Sequence, residues 1–215
     1  MPGTGDAREA SGAATARGAV TSIVVAGVGG QGSVLSTRVV ADAARRAGRS
    51  VVTSEVHGMS QRGGTVVTAV RYGEGDRELA PVVPEGEADL LVGFERLEAA
   101  RQLGVLKPGG VALVADHRVT PLMEAMKDAD YPGDVEALAR ERGVELHLYP
   151  SLETAKELGN PKLAGVVLLG VVARHLDLPL EAWREAVAAT VPPKTVEANL
   201  EGFEIGRGWG DGTTS

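Results

Sequence analysis

The residues best suited to binding or catalysis are concentrated in a ten-residue segment at the end of a predicted strand, from Glu55 to Gly64 (EVHGMSQRGG). His57, Gln61 and Arg62 stand there among three glycines, which let a backbone turn sharply or approach a ligand closely. The planar guanidinium of Arg62 suits a carboxylate or a phosphate, which it can bind with two hydrogen bonds. The residue types alone also allow a plain surface loop in which Arg62 pairs with Glu55 or another acid.

A glycine turn precedes this segment and directly follows four apolar residues, 23–26. The pattern Gly27, Gly29, Gly32 (Gly-x-Gly-x-x-Gly) predicts a tight turn from a buried parallel strand into a helix, whose free N–H groups favour an anion. Two interpretations remain open. The glycines either serve only the turn, or they hold a dinucleotide whose ribose hydroxyl would be bound by Glu55, near the end of the second strand.

Other polar residues lie at predicted strand ends. Glu95 follows a buried strand and either faces a ligand or interacts with the N-terminus of the next helix. His117 also follows a strand, but no second ligand stands at metal spacing, so a hydrogen-bonded loop histidine is preferred. The same holds for His147 and His175, and the sequence therefore predicts no metal site.

Apolar periodicity predicts the elements that position these residues. We predict strands at 23–26, 51–56, 65–71, 88–93, 111–115 and 144–149, helices at 30–47, 94–103, 134–142, 162–175, 180–190 and 194–203, and a turn at 107–110. A further helix is predicted between Ser151 and Gly159. The alternation of strands and helices indicates an α/β fold of three layers, α/β/α, with a mostly parallel Rossmann-like sheet and a C-terminal helical segment. Helix 162–175 is apolar almost all round and is expected inside the protein or against a partner.

The composition excludes several classes of function. A formal net charge of −7 and an aromatic content of 3% disfavour binding to nucleic acid or to an anionic membrane. The absence of cysteine excludes disulfides, a thiol nucleophile and the usual ligands of an iron–sulfur cluster. No apolar run reaches the roughly 18 residues of a membrane span, and no secretory signal is recognisable. We expect a cytoplasmic protein with a disordered tail at 1–20, one domain at 21–207 and a flexible tail at 208–215.

The two motifs together resemble one family. Gly27 to Gly32 (GVGGQG), followed by Glu55 to Gly64, is similar to the gamma-type subunit or domain of 2-oxoacid:ferredoxin oxidoreductases, and most similar to the small (beta) subunits of its indolepyruvate members. Further matches are Gly93-Phe94-Glu95, Glu98-Ala99, Tyr131-Pro132, Gly159-Asn160 and Asn199-Leu200-x-x-Phe203. The likeness covers nearly all of the chain after the N-terminal tail, and the string HGMSQRGG is its specific part.

The resemblance implies a hetero-oligomer in which a larger alpha subunit carries thiamine diphosphate and iron–sulfur clusters. The assembly would decarboxylate a 2-oxoacid oxidatively, form an acyl-CoA from coenzyme A and pass two electrons to ferredoxin. The small chain would bind no cofactor alone, and Arg62 is the preferred contact for a substrate or coenzyme anion. The residues expected to face substrate, coenzyme A or the large subunit are Gly29, Gly30, Gln31, Gly32, Glu55, His57, Gln61, Arg62, Gly63, Gly64, Glu95 and Asn160.

One segment departs from the family's pattern. The chain keeps an asparagine at Asn160 but carries Ala164 and Gly165 where members often have a second asparagine, so this segment does not fix the 2-oxoacid. Two other functions remain open at this point. One is a free-standing NAD(P)-dependent Rossmann oxidoreductase, which the glycine turn and Glu55 motivate, and the other is a noncatalytic assembly module.

Overall fold

The structure, a computed structural model, describes residues 20–57, 64–76, 78–118 and 134–209, with only the backbone at 56 and 57. Within these ranges six strands form one sheet in the order β2-β3-β1-β4-β5-β6. Their bounds are β1 (Val20–Val28), β2 (Ser50–His57), β3 (Thr65–Gly73), β4 (Ala88–Gly93), β5 (Leu106–Ala115) and β6 (Glu145–Tyr149).

The sheet is mostly parallel, as predicted. Strands β1, β4, β5 and β6 pair in parallel, whereas β3 is antiparallel to both of its neighbours, so β2 runs in the direction of β1. The sequence did not reveal that β3 lies between β1 and β2. In the register, Thr68 of β3 has Val25 of β1 on one side and Glu55 of β2 on the other. Glu55 is therefore two strand spacings, about 10 Å, from β1.

Seven helices cover the sheet in the described ranges: α1 (Ser33–Arg46), α2 (Arg96–Gln102), α3 (Val135–Arg142), α4 (Ser151–Glu157), α5 (Ala164–His175), α6 (Leu180–Thr190) and α7 (Val196–Gly208). Successive residues of a strand point to opposite faces, and β1 accordingly supplies Ile23 to one core and Val24 to the other. The first core includes α1, α5, α6 and α7, and the second includes α2 and α3. The predicted three-layer α/β/α fold is confirmed, and α5 is buried within the protein.

The prediction of a turn at 107–110 is wrong, because these residues form part of strand β5. Ala88 pairs with Leu106, but Leu90 pairs with Val111, so β5 accommodates extra residues as an irregularity of the ladder. Gly109 has a φ of 75° there, a conformation that glycine adopts without steric cost. Strand β5 consequently begins five residues before its predicted start at 111.

The last helix is longer than predicted. It was expected to end at residue 203, but α7 continues to Gly208 because its C-terminal half packs closely on α5. The indole of Trp209 then stacks on the ring of Tyr149, with centroids 5.6 Å apart and planes 5° from parallel. The side chain of Arg174 donates to the carbonyl oxygen of Trp209. The C-terminal end of the described residues therefore packs against β6, at the edge of the sheet.

This stacking gives a first prediction. Trp209→Ala should lower the free energy of unfolding by about 1–3 kcal/mol, because it removes a stacked aromatic pair and the burial of the indole. Trp209→Phe keeps an aromatic ring and should recover most of that loss. Urea unfolding followed by circular dichroism measures both variants. Equal losses in the two variants would contradict a role for the stacked ring.

Candidate functional site

A cleft of about 400 Å³ lies at the edge of the sheet where the parallel strands end. Its lining includes residues of the glycine turn after β1, of the β4–α2 connection, of the end of β5 with the residues after it, and of the start of α4. The 3-10 turn Pro161–Leu163 and the start of α5 complete it. In open α/β sheets, the carboxyl ends of the strands are where ligands bind.

The glycine turn is held by its own glutamine. The Gln31 side-chain oxygen accepts the N–H of Val28 at 2.7 Å, and the Gln31 N–H donates to the Val28 carbonyl at 3.1 Å. Gly30 and Gly32 have φ values of 99° and 91°, which L side chains rarely adopt. Gly32 is the N-cap of α1, and no side chain caps this helix. The turn therefore leaves the first N–H groups of α1 without a side-chain acceptor.

The two sequence motifs meet at this edge. The N–H of Gly29 donates to the carbonyl of Gly64 at 2.9 Å, and His57 is paired through its backbone with Val66. The Gly64 end of the second motif therefore lies beside the glycine turn, whereas its His57 end lies on β2, one strand further out. Gln61, Arg62 and Gly63 lie outside the described residues, as does the matched pair Tyr131-Pro132.

Phe94 packs between two glycines beside the cleft. Its N–H donates to the Ala26 carbonyl at 2.8 Å. A Cβ added to Gly27 would lie 2.9 Å from the Cβ of Phe94, and one added to Gly165 would lie 3.0 Å from its ring. The packing of Phe94 thus favours glycine at 165, within the segment that departs from the family's pattern. Sequence reasoning could not find this reason, because the two residues meet only in the folded chain.

Lys162 and His117 also line the cleft; sequence reasoning did not select Lys162, and it preferred a plain loop role for His117. Asn160 accepts the N–H of Lys162 at 3.1 Å and so fixes the turn that carries the lysine. Lys162 is exposed and makes no ion pair within the described ranges. The His117 carbonyl accepts the N–H of Arg96 at 3.0 Å, which ties the residue to the start of α2. Only the folding of distant segments onto one edge of the sheet brings these two residues into the same cleft.

Arg96 joins three elements next to the cleft. Its guanidinium lies 2.7 Å from a carboxylate oxygen of Asp116 and 3.5 Å from one of Glu136, on the residues after β5 and on α3. Burial lowers the pKa of Arg96, but the hydrogen bond to Asp116 and the attraction of both acids outweigh it, so the pKa lies above its ordinary value. Arg96 therefore stays charged and holds these elements together.

Two predicted site residues lie away from the cleft. Glu95 is 2% exposed and is the N-cap of α2, where its carboxylate accepts the N–H of Glu98 at 2.9 Å. Of the two interpretations of Glu95, the interaction with the helix N-terminus is therefore the one observed. Glu55 lines a separate groove beside α1. Because β3 separates Glu55 from β1, Glu55 does not lie beside the glycine turn, as the dinucleotide interpretation required. Within the described ranges, no group of three His, Cys, Asp or Glu residues could hold a metal ion, and no helix is long and apolar enough to cross a bilayer.

Comparisons with known proteins show the family of the chain. Residues 22–209 match the family described as pyruvate ferredoxin/flavodoxin oxidoreductase. The chain is 37% identical over 190 residues to the indolepyruvate oxidoreductase subunit IorB of Thermococcus kodakarensis, covering 86% of this chain and 93% of the relative. It is 36% identical over 190 residues to the IorB of Pyrococcus horikoshii, with the same coverage.

A solved structure shows the same fold. The gamma subunit of a keto/oxoacid ferredoxin oxidoreductase from Geobacter sulfurreducens superposes with a TM-score of 0.63 at 26% identity, covering 86% of this chain and 95% of that one. The match therefore extends over most of both chains. The chain belongs to the pyruvate ferredoxin/flavodoxin oxidoreductase family, among its gamma-type small subunits.

Proposed function

We propose that this chain is the small subunit of an indolepyruvate-type 2-oxoacid:ferredoxin oxidoreductase, and that its carboxyl-edge cleft completes the active site of a large subunit. The observation that supports the proposal most is the hydrogen bond from the Gly29 N–H to the Gly64 carbonyl, which joins the end of the second motif to the glycine turn that lines the cleft. The relatives named IorB support the indolepyruvate substrate. An aryl 2-oxoacid, coenzyme A and ferredoxin are then the reactants of the assembled enzyme.

The lining of the cleft suits this role. Apolar groups such as Phe94 and Leu152 predominate, and a few polar groups, among them Gln31, Ser151 and Lys162, can orient an anion. On this proposal, the chain binds and orients part of the substrate or coenzyme and excludes water, with Lys162 and Arg62 as the cations. Gly29, Gly30, Gln31, Gly32, His57, Gln61, Gly63, Gly64 and Asn160 face the ligand or the large subunit, whereas Glu95 and Glu55 support neighbouring elements.

The cofactors fit a partner better than this chain. The sequence has no cysteine to ligate an iron–sulfur cluster, and the described residues offer no metal site. We therefore place the clusters and thiamine diphosphate on the large alpha subunit. When bound there, thiamine diphosphate supplies the carbanion chemistry of decarboxylation. No side chain of the small subunit needs to transfer a proton.

The test of the proposal is purification of the native complex. A tagged chain expressed in its own cells should bring down one larger subunit that contains iron. The complex should reduce ferredoxin with indolepyruvate and coenzyme A, and neither subunit should do so alone. Recovery of the chain without a large iron-containing partner, or unchanged 2-oxoacid oxidation in cells that lack it, would exclude the proposal.

Substitutions of Arg62 distinguish an anion contact from a structural residue. Arg62→Lys keeps the charge but loses the two-pronged hydrogen bond, so kcat/KM of the assembled enzyme should fall about tenfold if a carboxylate or phosphate is bound. Arg62→Ala should reduce it further. Steady-state kinetics of the reconstituted complex measure both, with Lys194→Ala as a control on the exposed C-terminal surface. Unchanged kinetics in both Arg62 variants would assign the arginine a structural role.

A further inference from the structure

The outer edge of β2 differs from the opposite edge of the sheet. Strand β2 has eight residues (SVVTSEVH), contains neither proline nor lysine, carries one exposed acid at Glu55, and pairs with β3 in an unbroken register. The opposite edge, β6, has five residues, its His147 contacts Glu145 at 2.8 Å, and Trp209 covers Tyr149. Proteins normally protect long edge strands with charges, proline or bulges. Within the described ranges, the outer edge of β2 has no strand partner.

Two arginines stand beside this edge. Arg38 and Arg45 of α1 line a groove of about 250 Å³ together with Thr53 and Glu55 of β2. Both arginines are exposed, and neither forms an ion pair or a side-chain hydrogen bond with any described residue. The next arginine of α1, Arg46, differs, since it binds Asp42 and Glu185. On a chain with a net charge of −7, the groove thus carries two arginines against the one carboxylate of Glu55.

We propose that an extended acidic segment of the large subunit adds to β2 as a seventh strand, with its carboxylates on Arg38 and Arg45. An edge strand offers a row of N–H and C=O groups that another strand can pair with. Arg38 and Arg45 are two helical turns apart, about 10 Å, and carboxylates two to four residues apart on an added strand span about 7–14 Å. The inference rests on the proposed function, because it requires assembly with a second subunit.

A second copy of this chain fits the edge less well. Antiparallel pairing of β2 with its own copy around a two-fold axis would place both α1 helices on the same face of the joined sheet. The arginines at 38 and 45 of the two copies would then lie close together, and two chains of net charge −7 would also repel each other. An acidic segment of a different subunit avoids the repulsion between the arginines of two copies.

Hydrogen exchange tests the added strand directly. Amides in residues 50–57 should exchange at least tenfold more slowly in the assembled complex than in the free chain, because the outward N–H groups become paired. Protection already present in the free chain that grows with its concentration would mean self-pairing and would overturn the proposal. Unchanged hydrogen exchange of the β2 amides on assembly would also overturn the proposal, but it would leave the proposed function intact. Failure to assemble with any large subunit would instead remove both.

Charge reversal tests the arginines. Arg38→Glu and Arg45→Glu should each weaken binding to the purified large subunit about tenfold at low salt, and less at high salt. Arg140→Glu, the same change at an exposed position of α3, should leave binding within about twofold. Calorimetric titration measures the dissociation constants, and thermal unfolding confirms that each variant is folded. Equal affinities for the three variants would refute the acidic segment.

Discussion

Gly206→Ala should leave little folded protein. A Cβ at residue 206 of α7 would lie 1.8 Å from the carbonyl oxygen of Val167 on α5, and one at Gly170 would lie 2.1 Å from the carbonyl of Phe203. Both obstacles are backbone atoms, so no side chain can move aside, and the two helices would have to separate. Separation would open the core around Phe203, which is fully buried. We expect a loss of about 3 kcal/mol or more, a large part of the 5–15 kcal/mol that typically stabilises a domain.

Gly208→Ala provides a matched control. It lies on the same helix two residues later, and an added Cβ there meets no atom within 4 Å. Alanine also favours a helix over glycine, so this variant should be as stable as the wild type or slightly more so. Soluble yield and the midpoint of thermal unfolding measure both changes. If Gly206→Ala unfolds within a degree or two of Gly208→Ala, the helices are not in backbone contact.

The helix pair shows what periodicity can and cannot predict. The run of apolar residues around Val167 predicts a buried helix, and α5 is buried. Its partner could not be predicted, since Gly170 in the sequence reads only as an interruption of an apolar run. The close approach needs Gly170 and Gly206 at the same crossing, and they are far apart in the chain. The predicted end of α7 at residue 203 was wrong for the same reason, because packing on α5 extends the helix through two unfavourable glycines.

The order of the strands shows the same limit. Apolar and β-branched runs predict that β1, β2 and β3 exist, but not that β3 lies between the other two. The interpretation of Glu55 as a ribose contact depended on β2 being next to β1. Resemblance was more informative about the site than periodicity, since it singled out the two motifs whose ends meet at Gly29 and Gly64. Lys162 joins that site only through tertiary contacts, and no local pattern indicates it; Phe94 lies in a matched motif, but its packing between Gly27 and Gly165 appears only in the folded chain.

Ala164→Trp should abolish most of the activity of the assembled enzyme without unfolding the chain. Ala164 lines the cleft at the start of α5 and is only partly buried, so an indole there occupies the cleft instead of the core. If part of the substrate or coenzyme enters this cleft, the indole displaces it from its reacting position, and small displacements cost about a hundredfold in rate. We expect kcat/KM for the 2-oxoacid or for coenzyme A to fall at least that much.

The pattern of the loss identifies the occupant of the cleft. A rise in KM for coenzyme A alone would place the coenzyme there, and a rise in KM for the 2-oxoacid alone would place the substrate there. Ala137→Trp makes the same substitution at an exposed position of α3, away from the cleft, and should retain full turnover. Size-exclusion chromatography distinguishes a blocked cleft from a failed assembly, because the complex should form normally in both variants. Wild-type kinetics in an assembled Ala164→Trp enzyme would show that no reactant uses the cleft, and the reactants would then bind elsewhere in the complex.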